Sequence, residues 1–291
     1  MTRSNLKSKS TALVLFNRSV FVAVIALLMH AGPVPSDTTT SETEAKPPSA
    51  SAGGVRARVR AELTAAIKDA ARRQLATEGA SSLSLRAIAR ELDMASSAIY
   101  RYFASRDELL TALIIDAYNA VAEAVDAADA ACERSDLHGR FHAIATSLRT
   151  WAQTHPHEYG LIFGSPVPGY EAPQDTIDPA ARVPFALISV IVEARGGEDA
   201  PSSPPDPDLV EALSGLNGFT GGLLTTDVLR DAVAAWAQIF GLVSLELFGH
   251  LKNSVAPDGV LFDRAISTLA TGLLTPERPE AKLPRPSVAA V

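Results

Sequence analysis

The stretch LRAIARELDMASSAIYRYF, residues 85–103, constrains the fold more than any other part of the chain, because it holds two short helical periodicities with only a few polar residues between them. Ser84 stands where a capping hydroxyl is needed, and Leu85, Ile88, Ala89 and Leu92 follow at i, i+3, i+4 and i+7. The spacing predicts a short helix that ends at Asp93. There the chain must turn sharply, through a left-handed residue of the kind Asp tolerates better than most non-glycines. A second short helix is expected from about Ser96 to Tyr102, burying Ile99 and Phe103 and leaving Ser96, Ser97, Tyr100 and Arg101 together on the other side. This is the spacing of a helix-turn-helix.

The residue types suit a probe of the DNA major groove. That groove is about 12 Å wide, so a helix entering it needs a small leading face, here Ala95, Ser96, Ser97 and Ala98. Serine hydroxyls donate or accept at base edges, and Ala98 can meet a thymine methyl. Tyr100 and Tyr102 have the reach for phosphates. Arg86 can cross the backbone or take a guanine, and Arg106 opens the next helix in a position to hold a phosphate. Any helical hairpin also has a polar outer face, so periodicity alone leaves a plain structural reading open.

Charge separates the chain into two parts. The whole carries −7, yet residues 55–110 hold ten Lys/Arg against seven Asp/Glu, a balance of +3. Residues 111–291 hold eleven against twenty-three, a balance of −12. A basic head on an acidic body fits a nucleic-acid reader with a separate sensing domain, since only the head must approach phosphates. At 291 residues and 47% hydrophobic, with Ala-rich windows through most of 55–275, the chain is expected to be all-α. The single cysteine, Cys132, cannot form an internal disulfide.

From about Ala61 to Leu113 the sequence resembles the amino-terminal domain of the TetR family of bacterial transcriptional regulators. The resemblance is carried by a first helix ending at Glu78-Gly79, Leu85-Arg86-x-Ile88-Ala89, Ile99-Tyr100-x-x-Phe103 and Arg106-x-Glu108-Leu109-Leu110. It implies that Arg86, Ser96, Ser97, Tyr100, Arg101, Tyr102 and Arg106 fall at positions that touch DNA. Three residues depart from the family pattern. Asp93 replaces a glycine common in the turn, Ala95 replaces a capping hydroxyl, and Tyr102 stands where histidine is frequent. The missing cap is expected to weaken the second helix by ~1 kcal/mol.

The segment WAQTHPHEYGLIFGSPVPGY, residues 151–170, is similar to the carboxy-terminal domain of one TetR subgroup, the WHG type. That implies a helical ligand-binding and dimerisation bundle. The expected helices run about Arg106–Cys132, Ser135–Thr154, His157–Phe163, Pro179–Ala194, Asp208–Phe219, Asp227–Leu251 and Asp258–Leu274, with a loop over Gly196–Pro207. Trp151, Tyr159, Phe163, Tyr170, Phe219 and Trp236 are candidate lining for an apolar or amphipathic effector, the alternative for each being plain core. The stretch VAAWAQIFGLVSLELFGHL, residues 233–251, is apolar almost all round, with Gly241 and Ser244 permitting close approach. It reads as a homodimer interface, or as a buried intramolecular helix. The family resemblance implies a homodimeric repressor that binds a palindromic double-stranded operator and is released by a small molecule.

Residues 1–54 hold basic Arg3, Lys7 and Lys9, a short apolar run Val20–Met29, and a Pro/Ser/Thr/Glu-rich segment. Ten uninterrupted apolar residues are too few to span a bilayer. The segment is expected to be a disordered or non-essential extension; an export signal or tether is the alternative, and would make the chain a membrane-tethered or exported helical interaction protein with a vestigial head. Residues 276–291 read as a disordered tail. The histidine pairs His138/His142 and His155/His157 have metal-like spacing but no third ligand, and no nucleophile elbow, phosphate loop or dinucleotide fingerprint is present. The expectation is therefore a cytoplasmic regulator with no catalytic residues, metal or cofactor.

Overall fold

A computed structural model describes residues 52–195, 206–219, 224–256 and 259–275, and every regular element among them is helical. The amino-terminal extension up to residue 51, most of the Gly196–Pro207 loop and the tail from 276 lie outside the described residues. The helices are α1 (Ala52–Glu78), α2 (Leu85–Glu91), α3 (Ser96–Ile99), α4 (Arg106–Ala130), α5 (Leu137–Thr154), α6 (Pro156–Phe163), α7 (Ile177–Arg195), α8 (Pro207–Ala212), α9 (Ser214–Phe219), α10 (Thr226–Leu247) and α11 (Val260–Leu274).

Helices α1 to α3 and the start of α4 form the head. Ile67, Ala70, Ala71 and Leu75 of α1 close over Leu85, Ile88, Ala89, Ile99 and Phe103, all buried at helical spacing. Gly79, at φ 79°, ends α1 where the sequence places its stop, because a side chain there would be strained.

Helix α4 is shared between head and body. Its first turn is closed by two bonds: the N-cap Ser105 Oγ accepts from Glu108 N at 3.1 Å, and Glu108 Oε2 reaches back past the cap to accept from Ala104 N at 2.5 Å. The body then stacks α4, α5 and α7 against one another, with α10 and α11 along α5. On α5 the inward stripe is Phe141, Ile144, Ala145, Leu148, Trp151 and Ala152. Arg140 is 1% exposed and is paired with Asp129 at 2.7 Å and with Glu193, which ties α4, α5 and α7 together. Arg149 pairs with Glu246 and lies over the Phe262 ring, joining α5 to α10 and α11.

Three elements differ from the sequence expectation. The second helix of the hairpin is shorter, ending at Ile99 rather than about Tyr102, because Arg101 and Tyr102 close as i+3 turns on Ala98 O and Ile99 O, at 3.2 and 2.9 Å. The helix expected over 208–219 breaks at Leu213 into α8 and α9, next to the poor helix formers Ser214 and Gly215. Helix α10 ends at Leu247, and Gly249 (φ 76°) and Asn253 (φ 66°) turn the chain before α11. Helix α10 is also long and apolar enough, by length and composition, to cross a membrane; here it packs against α5, α7, α9 and α11.

Candidate nucleic-acid interface and effector site

The turn between α2 and α3 is built as its residues require. Ser84 Oγ accepts from Ala87 N at 3.4 Å, and the Ser84 N–H donates to Gln74 Oε1 of α1 at 2.8 Å. Asp93 sits at φ 53°, in the left-handed region, and lets Met94 N reach back to Ala89 O at 2.8 Å. Arg73 of α1 holds Glu91 through Nε and Nη2, at 2.9 and 2.7 Å, fixing the far end of α2.

This frame presents Ser96, Ser97 and Arg101 to solvent together with Tyr100, which is 45% exposed. Arg86 is exposed on the first turn of α2. The two remaining residues of the expected set also make contacts within the head. Tyr102 is half-buried against the core, with the Arg60 guanidinium 5.5 Å over its ring. Arg106 turns inward: Nη2 donates to Ala80 O at 2.9 Å and to Ser81 O at 3.4 Å, while Nη1 meets Asp107 at 3.2 Å. It braces the turn after α1.

Sequence reasoning missed Arg60, which both covers Tyr102 and donates to Arg101 O at 3.2 Å. The signal was the alternating basic run Arg56, Arg58, Arg60 upstream of the recognised pattern.

The aromatic candidates in the body do not form one chamber. Tyr159 and Phe163 of α6 interlock with Phe240 of α10, whose ring also meets Trp236 at 5.9 Å; the Phe163 and Phe240 centroids are 4.7 Å apart, and those of Tyr159 and Phe240 5.7 Å. Burial pushes the Tyr159 hydroxyl up to about 12, and it shares a 2.8 Å hydrogen bond with Ser244. Tyr170 bonds Thr111 at 2.9 Å. The side chain of Phe219 lies outside the described residues.

Trp151 stands apart from that cluster, in a groove of about 650 Å³ between α4 and α5. Small residues such as Ala124, Ala128, Ala143 and Ser147 line it. The Trp151 ring stacks on His155 at 5.2 Å, and its buried Nε1 has no acceptor among the described residues. His155 Nδ1 lies 2.8 Å from Thr154 Oγ1, and His142 Nδ1 lies 3.3 Å from Thr146 Oγ1. Among the described residues no three His, Cys, Asp or Glu side chains gather as a metal site.

A head built this way on a helical body defines a helix-turn-helix DNA-binding regulator. Residues 67–113 match the family model described as bacterial regulatory proteins, tetR family, and residues 141–269 match the tetracyclin repressor-like C-terminal domain. The chain is 41% identical over 218 residues to the HTH-type transcriptional regulators Rv1816 of Mycobacterium tuberculosis and Mb1846 of Mycobacterium bovis, covering 72% of this chain and 92% of each relative. Among solved structures, the regulatory protein SCO4313 superposes with a TM-score of 0.62 at 36% identity, over 74% of this chain and 98% of that one. A Rhodococcus sp. RHA1 protein at 24% identity shares the fold, with a TM-score of 0.53 over 73% and 96%. The chain belongs to the TetR family of transcriptional regulators.

Proposed function

We propose that the chain works as a homodimeric repressor in the cytoplasm, with no catalytic role. It binds a palindromic operator through α3 and is released by a small, largely apolar effector. The observation that carries this reading is the exposed face of Ser96, Ser97, Tyr100 and Arg101, held in a head that Arg73–Glu91, Ser84–Gln74 and Arg106–Ala80 bonds brace from behind. Ser96 and Ser97 read base edges; Tyr100, Arg101 and Arg86 meet phosphates or a guanine edge. Tyr102 flanks that contact at the edge of the reading face. Arg106 acts mainly as a positioning residue, through the carbonyls of Ala80 and Ser81.

Dimerisation is supported by the outer face of α10. Ala234, Ala237, Gly241 and Leu245 recur at steps of three and four, Phe248 follows at the C-cap, and Leu245 and Phe248 are 42% and 50% exposed. Val260 and Leu261 continue the exposed apolar surface at the start of α11. A symmetric pair of heads gives each half-site its own α3, about 34 to 36 Å apart.

The effector seat is the Trp151 groove, whose volume and apolar lining suit a small molecule. A ligand there presses on α5 and His155, and α6 follows directly at Pro156. Glu158 of α6 in turn holds Arg72 of α1. Effector and operator are linked by the effector's differential affinity for two head arrangements, of the order of 1–3 kcal/mol. The test is retention of genomic double-stranded fragments by the purified chain in gentle salt, followed by footprinting. Palindromic sites are expected among the retained fragments; sequence-independent retention, or none, overturns the reading.

A further inference from the structure

We infer that the first fifteen residues of α1 are a second DNA-contacting element, a basic helical arm that grips backbone phosphates beside the groove entered by α3. This rests on the DNA-binding reading above and extends the footprint beyond the helix-turn-helix.

Helix α1 is 27 residues long, yet its first fully buried side chain is Ile67. Residues 54–62 are exposed on every side, Val55 at 66% and Val59 at 47%. The stretch 52–66 thus precedes the buried part of α1 as about 22 Å of helix, exposed over 54–62 and held to the head at Arg60. It carries three arginines, Arg56, Arg58 and Arg60, against the single acid Glu62. Arg56 and Arg58 make no hydrogen bond or ion pair within the described residues, so no contact there accounts for their charge.

The arm is also aimed. Arg60 Nη2 donates to Arg101 O at 3.2 Å, and its guanidinium lies over the Tyr102 ring, so this turn of α1 is fastened to the end of the reading element. Arg56 lies four residues earlier on the same face, about 6 Å further along the axis. It thus stands one turn beyond Arg101, over the duplex backbone that flanks whatever α3 reads. Glu62 stands one turn from Arg58 without pairing to it among the described residues, so the guanidinium groups of Arg56 and Arg58 remain open to phosphate oxygens, and the arm offers no small polar face for base edges.

The test compares the full-length wild-type chain with the Arg56→Ala/Arg58→Ala variant on one selected DNA fragment, long-flanked and trimmed to its half-sites. Alanine preserves the helix, which circular dichroism checks. With two arms per dimer and one or two phosphates each, the slope of log K against log salt should fall in magnitude by about 2 to 4 on the long fragment. The selected sequence should not change, and trimming the flanks should abolish the difference. An unchanged slope on DNA that the wild type binds overturns the arm alone, as does an altered site preference or an effect that survives trimming. No DNA retention by the wild type overturns the DNA-binding reading and the arm with it. Phosphatidylglycerol vesicles are the control for another anionic surface: binding that depends on Arg56 and Arg58, with DNA slopes unchanged, assigns the arm to membrane and overturns the proposal.

Discussion

Arg72 of α1 donates through Nε to Glu158 Oε1 of α6 at 3.1 Å, and the same guanidinium reaches Asp116 of α4 at 2.8 Å. The reading head is thus joined to the segment that follows Trp151. Lys68 adds a second cation to Asp116 at 2.9 Å. The pairs are only partly buried, so Glu158→Gln should cost the head about 1 kcal/mol or less. Its informative effect is on coupling: operator release by a ligand should weaken while ligand affinity for the DNA-free protein holds. Calorimetric titration with and without operator DNA checks this, and an unchanged ratio of the two affinities would rule out the Arg72–Glu158 link.

Arg106→Ala removes two bonds from a charged donor to the carbonyls of Ala80 and Ser81. The head should lose roughly 1.5–3 kcal/mol, readable by urea denaturation. DNA affinity should fall by a similar factor on every sequence, because the guanidinium is engaged by carbonyls of the head itself. A change in which sites are preferred would contradict that role.

Ser96→Ala/Ser97→Ala tests the opposite behaviour. Both hydroxyls are exposed on α3 and neither carries charge. Site preference should therefore shift, by about 1–3 kcal/mol per affected base pair, while the salt slope stays as in the wild type. Binding selections with randomised half-sites report it directly.

Asp129 gives the fold an acid limit. Burial opposes its ionisation, but hydrogen bonds from Arg140 and Arg134 outweigh that and hold its carboxyl below the usual carboxylate value. The unfolded chain takes up this proton first as pH falls. The contribution is thus fully present above the ordinary Asp range and is lost as pH drops through it towards the folded value. Asp129→Asn should flatten that acid limb in a denaturation series against pH. It should also cost about 1.5–3 kcal/mol at neutral pH, since Arg140 loses a charged acceptor and keeps Glu193 as its ionic partner.

Local patterns were the most legible part of the sequence. The Ser84 cap, the left-handed Asp93, the stop at Gly79 and burial of Ile99 and Phe103 all follow from residues within a few positions of one another. Most body helices fall within a few residues of their expected bounds because apolar spacing and Pro or Gly punctuation are local too. What escaped was long-range. Nothing near Arg106 in sequence says that its guanidinium meets a carbonyl 26 residues earlier, and nothing near Arg60 predicts a ring 42 residues later. The six aromatic candidates were grouped by residue type; interhelical packing sends Tyr159, Phe163 and Trp236 to the α10 face and leaves Trp151 in a separate groove.

Dimethyl sulfate protection on a selected operator tests the central claim most directly, because the reagent methylates guanine N7 in the major groove. The wild-type chain should protect two symmetric clusters of guanines centred one helical turn, about 10 base pairs, or a multiple of that apart. Ser96→Ala/Ser97→Ala should alter those protections with the overall footprint kept. Protection confined to minor-groove adenines, or guanine patterns indifferent to Ser96 and Ser97, would contradict a reading head built on α3.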